Sequence, residues 1–215
     1  MVPADRGYHE IIAHYEDCLA RHGDNHRGVD WPRADEAELR YDVMLGIIPA
    51  QEPRPVRILD FGCGAGHLLD FIRHRGVPGL EYHGLDLSAR FTALCQEKFP
   101  GVSFARTDVL ETPLEPMAYD YIIINGVFTE KRSLSHGRMW DYARAVLRAV
   151  WPSARRGAAF NVMSTHVDWE RPDLFHLPLD ALMAFLKAEL SRHCAIRQDY
   201  GLHEYTAYVY REPNR

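Results

Sequence analysis

The stretch RILDFGCGAGHLL, residues 57–69, decides the fold. An apolar run ends at Asp60, glycines alternate at Gly62, Gly64 and Gly66, and an apolar-periodic segment follows at once. This order predicts a buried strand, a tight loop and a helix. Glycine permits backbone conformations that other residues avoid, and it lets a ligand approach the main chain closely. In an open parallel sheet such a loop lies at the carboxyl edge, where ligands bind.

The composition is that of one globular domain. The chain has 215 residues, of which 47% are hydrophobic and 26% are charged, values that are typical of globular proteins. The net charge of −5 argues against a general polyanion-binding surface. The four cysteines are widely spaced and suggest neither a disulfide framework nor a paired metal site. We therefore predict no metal and a reducing, cytoplasmic environment.

No segment is expected to target the chain or to cross a membrane. The N-terminal segment MVPADRGYHEIIAHYED carries charges throughout and lacks the apolar core of a signal peptide. No stretch approaches the roughly 20 apolar residues that span a bilayer. We expect a soluble protein without a membrane partner, and the sequence leaves open whether it is a monomer or a homodimer.

Two helices are predicted before the main body of the chain. Apolar residues recur at helical spacing over residues 8–20, and ADEAELRYDVMLGII, residues 34–48, indicates a second helix. The three prolines of PAQEPRP, residues 49–55, are typical of a connector. We expect residues 1–50 to form a helical cap or lid and residues 51–215 to form the main body of the same domain.

Strand and helix patterns then alternate. Apolar runs occur at VRILD, EYHGLD, VSFA, YDYIIIN and GAAFNVM, and the segments between them are helical in pattern. Such alternation predicts a doubly wound α/β fold with a mostly parallel sheet and helices on both faces. The last runs, HCAIRQDY and HEYTAYVY, are separated only by Gly201 and Leu202. Because so short a connection cannot be a parallel crossover, the seventh and last strand should be antiparallel.

The spacing of the glycines separates two kinds of nucleotide loop. Dinucleotide-binding folds carry G-x-G-x-x-G, whereas this chain has G-x-G-x-G, because His67 follows the third glycine. Acidic residues precede the loop and follow the next two strands, at Asp60, Asp86 and Asp108. The last two can accept hydrogen bonds from ribose hydroxyls and from an adenine amino group. An NAD-dependent oxidoreductase is therefore the weaker interpretation.

This constellation resembles the class I S-adenosylmethionine-dependent methyltransferases. DFGCGAG matches their D/E-x-G-x-G-x-G loop, Asp86 and Asp108 match their acidic positions, and the C-terminal hairpin matches their antiparallel strand pair. The resemblance covers roughly residues 55–211. It implies a Rossmann-like sheet with strand order 3-2-1-4-5-7-6 and S-adenosylmethionine as the cofactor.

The resemblance also implies a set of cofactor-binding residues. Gly62 and Gly64 would lie against the methionine part, Asp86 would bind the ribose, and Asp108 and Val109 would frame the adenine. The full implied set is Asp60, Phe61, Gly62, Cys63, Gly64, Gly66, Asp86, Leu87, Asp108, Val109, Asn125 and Gly126. The alternative for Asp86 is the N-cap of the following helix, a role that Ser88 fills equally well. Cys63 is expected to be a small packing residue.

Candidate residues for the chemistry come from the loops after the fourth and fifth strands. Methyl transfer needs alignment of donor and acceptor, and a base only where the acceptor must lose a proton. His136, His166 and Glu130 are the candidate bases, each with a surface role as its alternative. Trp31 and Trp169 occupy similar polar tags, GVDW and HVDW. Both are candidates for the substrate-binding side: Trp31 would help close the N-terminal helices over the cofactor, and Trp169 would line the acceptor pocket. Alternatively, both anchor loops to the body of the protein.

The acceptor is predicted to be a small molecule methylated at oxygen or nitrogen. The fourth strand ends in Asn-Gly-Val-Phe, without the Pro-Pro motif of enzymes that methylate nucleic-acid amines, and no cysteine nucleophile follows it. Two alternatives stay open. Basic residues across positions 131–156 could serve an RNA methyltransferase, and an intact cofactor site could also belong to a non-catalytic partner subunit.

Overall fold

A computed structural model describes residues 7–214, so residues 1–6 of the predicted cap and residue 215 lie outside the described residues. The chain begins with helices α1 (Tyr8–His22) and α2 (Ala34–Leu45), joined through a short 3-10 turn at His26–Val29. None of the described helices is long and apolar enough to cross a membrane.

The main body alternates strands with helices as the sequence indicates. In chain order its elements are β1 (Val56–Phe61), α3 (His67–His74), β2 (Leu80–Asp86), α4 (Ala89–Lys98), β3 (Ser103–Arg106), β4 (Tyr119–Phe128), α5 (His136–Val150), β5 (Ala154–Ser164), β6 (His176–Leu177), α6 (Leu179–Phe185), β7 (His193–Arg197) and β8 (Glu204–Tyr210). The last turn of α6 continues as a π-helix over Leu186–Leu190.

The sheet has the order β3-β2-β1-β4-β5-β8-β7. Strand β8 runs antiparallel to both β5 and β7, and the other neighbours on this path are parallel. The predicted fold class, strand order and antiparallel last strand are therefore confirmed. One short strand was not predicted: β6 pairs in parallel with the end of β5 at Met163 and Ser164. Two residues are too few to leave a periodic pattern.

The central strands are buried on both faces, which explains their continuous apolar runs. Ile122, Ile123 and Ile124 of β4 are fully buried. One core cluster packs α1, α5 and α6 on the sheet, and the other packs α2, α3 and α4 on the opposite face. The predicted stripe of α5 is buried in full: Met139, Tyr142, Ala143, Val146, Leu147 and Val150.

The N-terminal segment divides between two roles. In α2, Met44 and the following Ile47 are fully buried among the residues of one sheet face, so this helix is a layer of the fold. Helix α1 instead reaches over the carboxyl edge of the sheet, where it joins the other core cluster through Tyr8 and Ile11. The part of the N-terminal segment that covers this edge is therefore α1 with the loop that ends at Trp31.

Candidate cofactor and acceptor site

A cleft of about 990 Å³, including its space open to solvent, lies at the carboxyl edge of the sheet. Its floor is the glycine loop with the ends of β2 and β4, and its roof is α1 and the loop up to Trp31. Nine of the predicted cofactor residues line it: Asp60, Phe61, Gly62, Cys63, Gly64, Asp86, Leu87, Asn125 and Gly126. Gly66, Asp108 and Val109 do not. Most of the predicted cofactor residues therefore lie on this surface.

Two of the three loop glycines face the protein's own side chains. All three have positive φ, which favours glycine. A Cβ on Gly62 would stand 2.4 Å from a methyl group of Val127, and one on Gly66 would stand 2.6 Å from the ring of Phe99. These two glycines are thus required by internal packing as well as by backbone conformation. Cys63 is buried beside them, in the packing role expected of it.

Gly64 is the loop glycine that opens on the cleft. A Cβ there would meet only a methyl group of Val29, at 3.3 Å. The Gly64 N–H donates to Oδ2 of Asp86 across 2.9 Å, and the N–H of Ser88 donates to Oδ1 across 2.8 Å. Burial raises the pKa of Asp86, and these backbone hydrogen bonds oppose that rise. The N-cap of α4 is Ser88, which leaves the carboxylate of Asp86 facing the cleft.

Asp60 is a buried carboxyl group beneath the loop. It accepts a hydrogen bond of 2.6 Å from the hydroxyl of Tyr82. Burial raises its pKa to about 7; the Tyr82 hydrogen bond opposes this rise and the nearby Asp86 adds to it. Asp60 is therefore largely protonated below neutral pH.

The end of β4 forms the third part of the floor. The side-chain Oδ1 of Asn125 is buried and has no hydrogen-bond partner among the described residues. Because an unpaired buried acceptor is costly, such an atom is a candidate for ligand contact. Gly126 is held firmly: its N–H donates to Oδ1 of Asn161, and its carbonyl accepts from Thr129 and, at 3.4 Å, from Tyr15.

Tyr8 closes the far end of the cleft. Its hydroxyl donates to Oδ2 of Asp108 across 2.7 Å, and its ring stacks on that of Tyr142 with centroids 4.8 Å apart. The other oxygen of Asp108 accepts from the N–H of Leu110. The carboxylate assigned by resemblance to the adenine is therefore covered by α1, and this explains why Asp108 and Val109 do not line the cleft.

The roof contributes residues that the sequence interpretation did not assign to the site. Ile11, Ile12 and Tyr15 project from α1 into the cleft. Burial raises the pKa of Tyr15, and nearby Glu130 and Asp30 raise it further, so its hydroxyl remains a donor at neutral pH. The apolar face of the first helix was visible in the sequence. The sequence did not show that this face packs over the carboxyl edge of the sheet.

The three predicted bases do not line the cleft. His136 pairs through Nε2 with the carbonyl of His176 at 2.9 Å, and His166 follows β5 in a turn. Glu130 forms an ion pair with Arg132 at 3.4 Å; burial raises the pKa of Glu130, with Asp30 adding to the rise. These positions follow strands that end at this edge of the sheet, His136 as the first residue of α5, but they lie beside the cleft and do not line it.

The two predicted tryptophans have different environments. Trp31 lines the cleft, and a Cβ on Gly126 would stand 2.9 Å from its ring. Trp169 is 69% exposed and lies away from the cleft. One lining histidine was not predicted: His67 pairs through Nε2 with Asp24 at 2.7 Å. Burial lowers the pKa of His67, while the contact with Asp24 opposes that shift, so the ring is neutral at neutral pH.

One group of side chains has the donor types of a metal site. The donor atoms of His14, Cys18 and Asp30 lie within 4.8 Å of one another. His14 already pairs with Asp30 at 2.7 Å, and the guanidinium of Arg21 lies 3.6 Å from Sγ of Cys18. A cation placed there would be repelled by that guanidinium. The absence of a metal stays a prediction.

Sequence comparison gives two matches. The family model described as a methyltransferase domain matches residues 58–152. The Mycobacterium tuberculosis protein Rv1506c, which is named as a methyltransferase, is 30% identical over 157 residues, and the match covers 72% of this chain and 93% of Rv1506c.

Structural comparison finds the same fold in enzymes of low sequence identity. Magnesium protoporphyrin IX methyltransferase from Synechocystis, solved with S-adenosylmethionine, has a TM-score of 0.66 at 15% identity and covers 98% of this chain and 100% of its own. The 1,6-didemethyltoxoflavin-N1-methyltransferase of Burkholderia thailandensis, solved with its substrate and S-adenosylhomocysteine, has a TM-score of 0.61 at 17% identity, covering 100% and 93%.

Proposed function

We propose a substrate class for this chain, which belongs to the class I S-adenosylmethionine-dependent methyltransferases. The acceptor is a small molecule without an anionic group, methylated at oxygen or nitrogen in the cleft beneath α1. One observation carries the proposal. Among residues 7–214, no lysine or arginine lines the cleft, whereas Asp60 and Asp86 do. A phosphate or carboxylate on the acceptor would have no lysine or arginine of the cleft to pair with.

The residues present fit the family's cofactor. Asp86 supplies an acceptor for ribose hydroxyls, and the free Oδ1 of Asn125 supplies one for an ammonium group. Gly64 leaves its main chain accessible from the cleft. Leu87 offers an apolar contact. We assign these four residues to cofactor binding. The cofactor brings a methyl group on a sulfonium, so the chain's own task is to align the acceptor and exclude water.

The acceptor would lie against the roof of the cleft. Ile11, Ile12, Val29 and Trp31 present an apolar and aromatic surface there, which suits the flat apolar body of a heterocycle or a phenol. Tyr15 adds a hydroxyl group, whose proton is directed to the carbonyl of Gly126. If the acceptor loses a proton, neutral His67 is the lining imidazole that could take it, in place of the predicted bases, which lie outside the cleft.

A nucleic-acid acceptor has less support. The basic residues across positions 131–156 are largely paired with carboxylates: Arg132 with Glu130 and Asp173, Arg144 with Asp141, Arg148 with Glu189, and Arg156 with Glu52 and Asp120. The neighbouring carboxylates compete with phosphates for these guanidinium groups. A steep decrease of RNA binding with salt concentration would restore that alternative.

The four thiols are free, which supports a reducing, cytoplasmic location.

A thermal-shift screen with S-adenosylhomocysteine bound tests the acceptor class, because a ligand of the native state raises the melting temperature. The library should pair each phenol, amine or heterocycle with its carboxylated or phosphorylated analogue. We expect the uncharged members to stabilise the complex and their anionic analogues not to. Stabilisation by the anionic members instead would contradict the proposal. Transfer of labelled methyl to the hits then separates an enzyme from a partner subunit that only binds cofactor.

A further inference from the structure

A chain of three buried hydrogen bonds runs from the floor of the cleft into the core. The N–H of Gly126 donates to Oδ1 of Asn161, Nδ2 of Asn161 donates to Oε1 of Glu204, and Nε of Arg40 donates to Oε2 of Glu204. Each of the three distances is 2.8 Å. Asn161, Glu204 and Arg40 are only 0%, 1% and 7% exposed.

The chain of bonds returns to the cleft at its other end. The guanidinium carbon of Arg40 lies 4.1 Å from the ring centroid of Trp31, in cation–π geometry. The edge of the Trp31 ring in turn fills the space where Gly126 lacks a side chain. One closed circuit therefore fixes both Gly126 of the floor and Trp31 of the roof.

The polarity of this circuit is set by charge. The carboxylate of Glu204 only accepts hydrogen bonds, so the amide of Asn161 must turn its NH₂ toward Glu204. Its oxygen is then left facing the N–H of Gly126. Arg40 holds the carboxylate in place, and breaking one partner of a buried ion pair is costly. The ion pair in the core thus fixes the orientation of the Asn161 amide, and this amide in turn holds the N–H of Gly126 at the cleft.

We propose that Arg40, Asn161 and Glu204 are positioning residues of the methyl-transfer site, which set the distance between Gly126 and Trp31 and thereby the shape of the cleft at the end of β4. None of the three lines the cleft; they act through the two residues that do. This inference rests on the proposed function only for the identity of the ligand that contacts Gly126 and Trp31.

Two substitutions that exchange an oxygen and a nitrogen atom, at Glu204 and at Asn161, test the circuit. In Glu204→Gln the volume is kept, but a Gln that accepts from Arg40 presents NH₂ to Asn161. That turns the Asn161 amide and sets donor against donor at Gly126. In the double variant Asn161→Asp with Glu204→Gln, the new carboxylate accepts from both sides and the polarity is restored. The control Tyr205→Phe removes another buried hydrogen bond of β8, the one to the carbonyl of Leu177.

Two readouts follow the cleft rather than the global stability. One is the affinity for S-adenosylhomocysteine by calorimetry; the other is the ¹⁹F resonance of Trp31 in 5-fluorotryptophan protein, assigned with Trp31→Phe. In Glu204→Gln we expect the affinity to fall at least fivefold and the resonance to shift. The double variant should bring the affinity back to within twofold of the wild-type value and the resonance back to the wild-type position. Tyr205→Phe should lower only the melting temperature.

A folded Glu204→Gln that keeps either wild-type readout overturns the inference, and so does a double variant that fails to restore both. If Glu204→Gln does not fold, the double variant decides: wild-type readouts support the circuit, and an unfolded or shifted protein overturns it. A wild-type chain that does not bind S-adenosylhomocysteine contradicts the proposed function, and the Trp31 resonance then decides this inference alone.

Discussion

The N–H of Gly64 donates to the carboxylate of Asp86 across 2.9 Å, so the glycine loop and the end of β2 form one rigid corner of the cleft. The backbone of Ser88 binds the other oxygen of the same carboxylate. Both oxygens are therefore fixed in direction, and the residue that carries them lines the cleft. This preorganisation is what two adjacent ribose hydroxyls require.

Asp86→Asn should weaken S-adenosylhomocysteine binding. The amide keeps the size of the carboxylate but turns an NH₂ toward one of the two backbone donors and loses the charge. We expect a loss of about 1.5–3 kcal/mol, the scale of a hydrogen bond to a charged group, measured by calorimetry. Ser135→Ala is the control, because it removes the N-cap of α5 and costs stability without touching the cleft. Unchanged affinity in Asp86→Asn would limit Asp86 to a structural role.

Gly64→Val should abolish cofactor binding and leave a folded protein. The side chain would extend into the cleft and against Val29, and φ at this residue is +51°. Gly76→Val is the matched control: its φ is +60° and no atom lies within 4 Å of an added Cβ. Both variants carry a similar backbone strain of about 1–3 kcal/mol. If both lose binding equally in a titration, strain alone explains the effect.

Tyr8→Phe should bind S-adenosylhomocysteine more tightly. The Tyr8 hydroxyl holds the Asp108 oxygen that the family resemblance assigns to the adenine amino group. Removing this competitor should raise the affinity by about 0.5–1.5 kcal/mol, the net value of one hydrogen bond. Tyr205→Phe, which loses a buried hydroxyl contact to Leu177 elsewhere, should leave the affinity unchanged. Weaker binding by Tyr8→Phe would show instead that the hydroxyl contacts the cofactor.

Asp60 should make the stability depend on pH. Its pKa rises on folding from 3.8 to about 7, so the native state holds a proton that the unfolded state releases. The stabilisation from this group is complete below about pH 4 and is lost as the pH rises through about 7. Asp60→Asn removes this contribution.

Chemical denaturation of both proteins across this range measures the effect. The free energy of unfolding of the wild type should fall relative to Asp60→Asn by up to about 1.4 kcal/mol per pH unit. Parallel curves for the two proteins would place the pKa of Asp60 near its ordinary value and contradict the burial argument.

The sequence was sufficient for the framework of the fold. The apolar runs of β1, β4 and β5 and the apolar stripe of α5 are local sequence patterns. Strands that are apolar on both faces belong in the middle of a sheet that helices cover on both sides. The glycine loop was recognisable in the sequence because three positive-φ residues in five positions require glycine. The short link at Gly201 was enough to orient the last strand.

The contacts between distant parts of the chain could not be read from the sequence. Tyr8 meets Asp108 across 100 residues, and Glu204 meets Arg40 across 164. The charged Glu204 opens a strand whose other residues are almost all apolar or aromatic, and nothing local marks its partner. His136 and His166 follow strands that end at the correct edge, yet the direction of a loop is set by packing. Placement at an edge is therefore predictable, while placement in a cleft is not.

A crystal structure of the chain with S-adenosylhomocysteine tests the central claim most directly. The account predicts the ribose hydroxyls on the carboxylate of Asp86, the amino-acid end along Gly62 and Gly64, and the amino group near Oδ1 of Asn125. The sulfur should point toward the roof formed by Tyr15 and Trp31. A ligand bound outside this cleft, or one whose ribose lies away from Asp86, would contradict it.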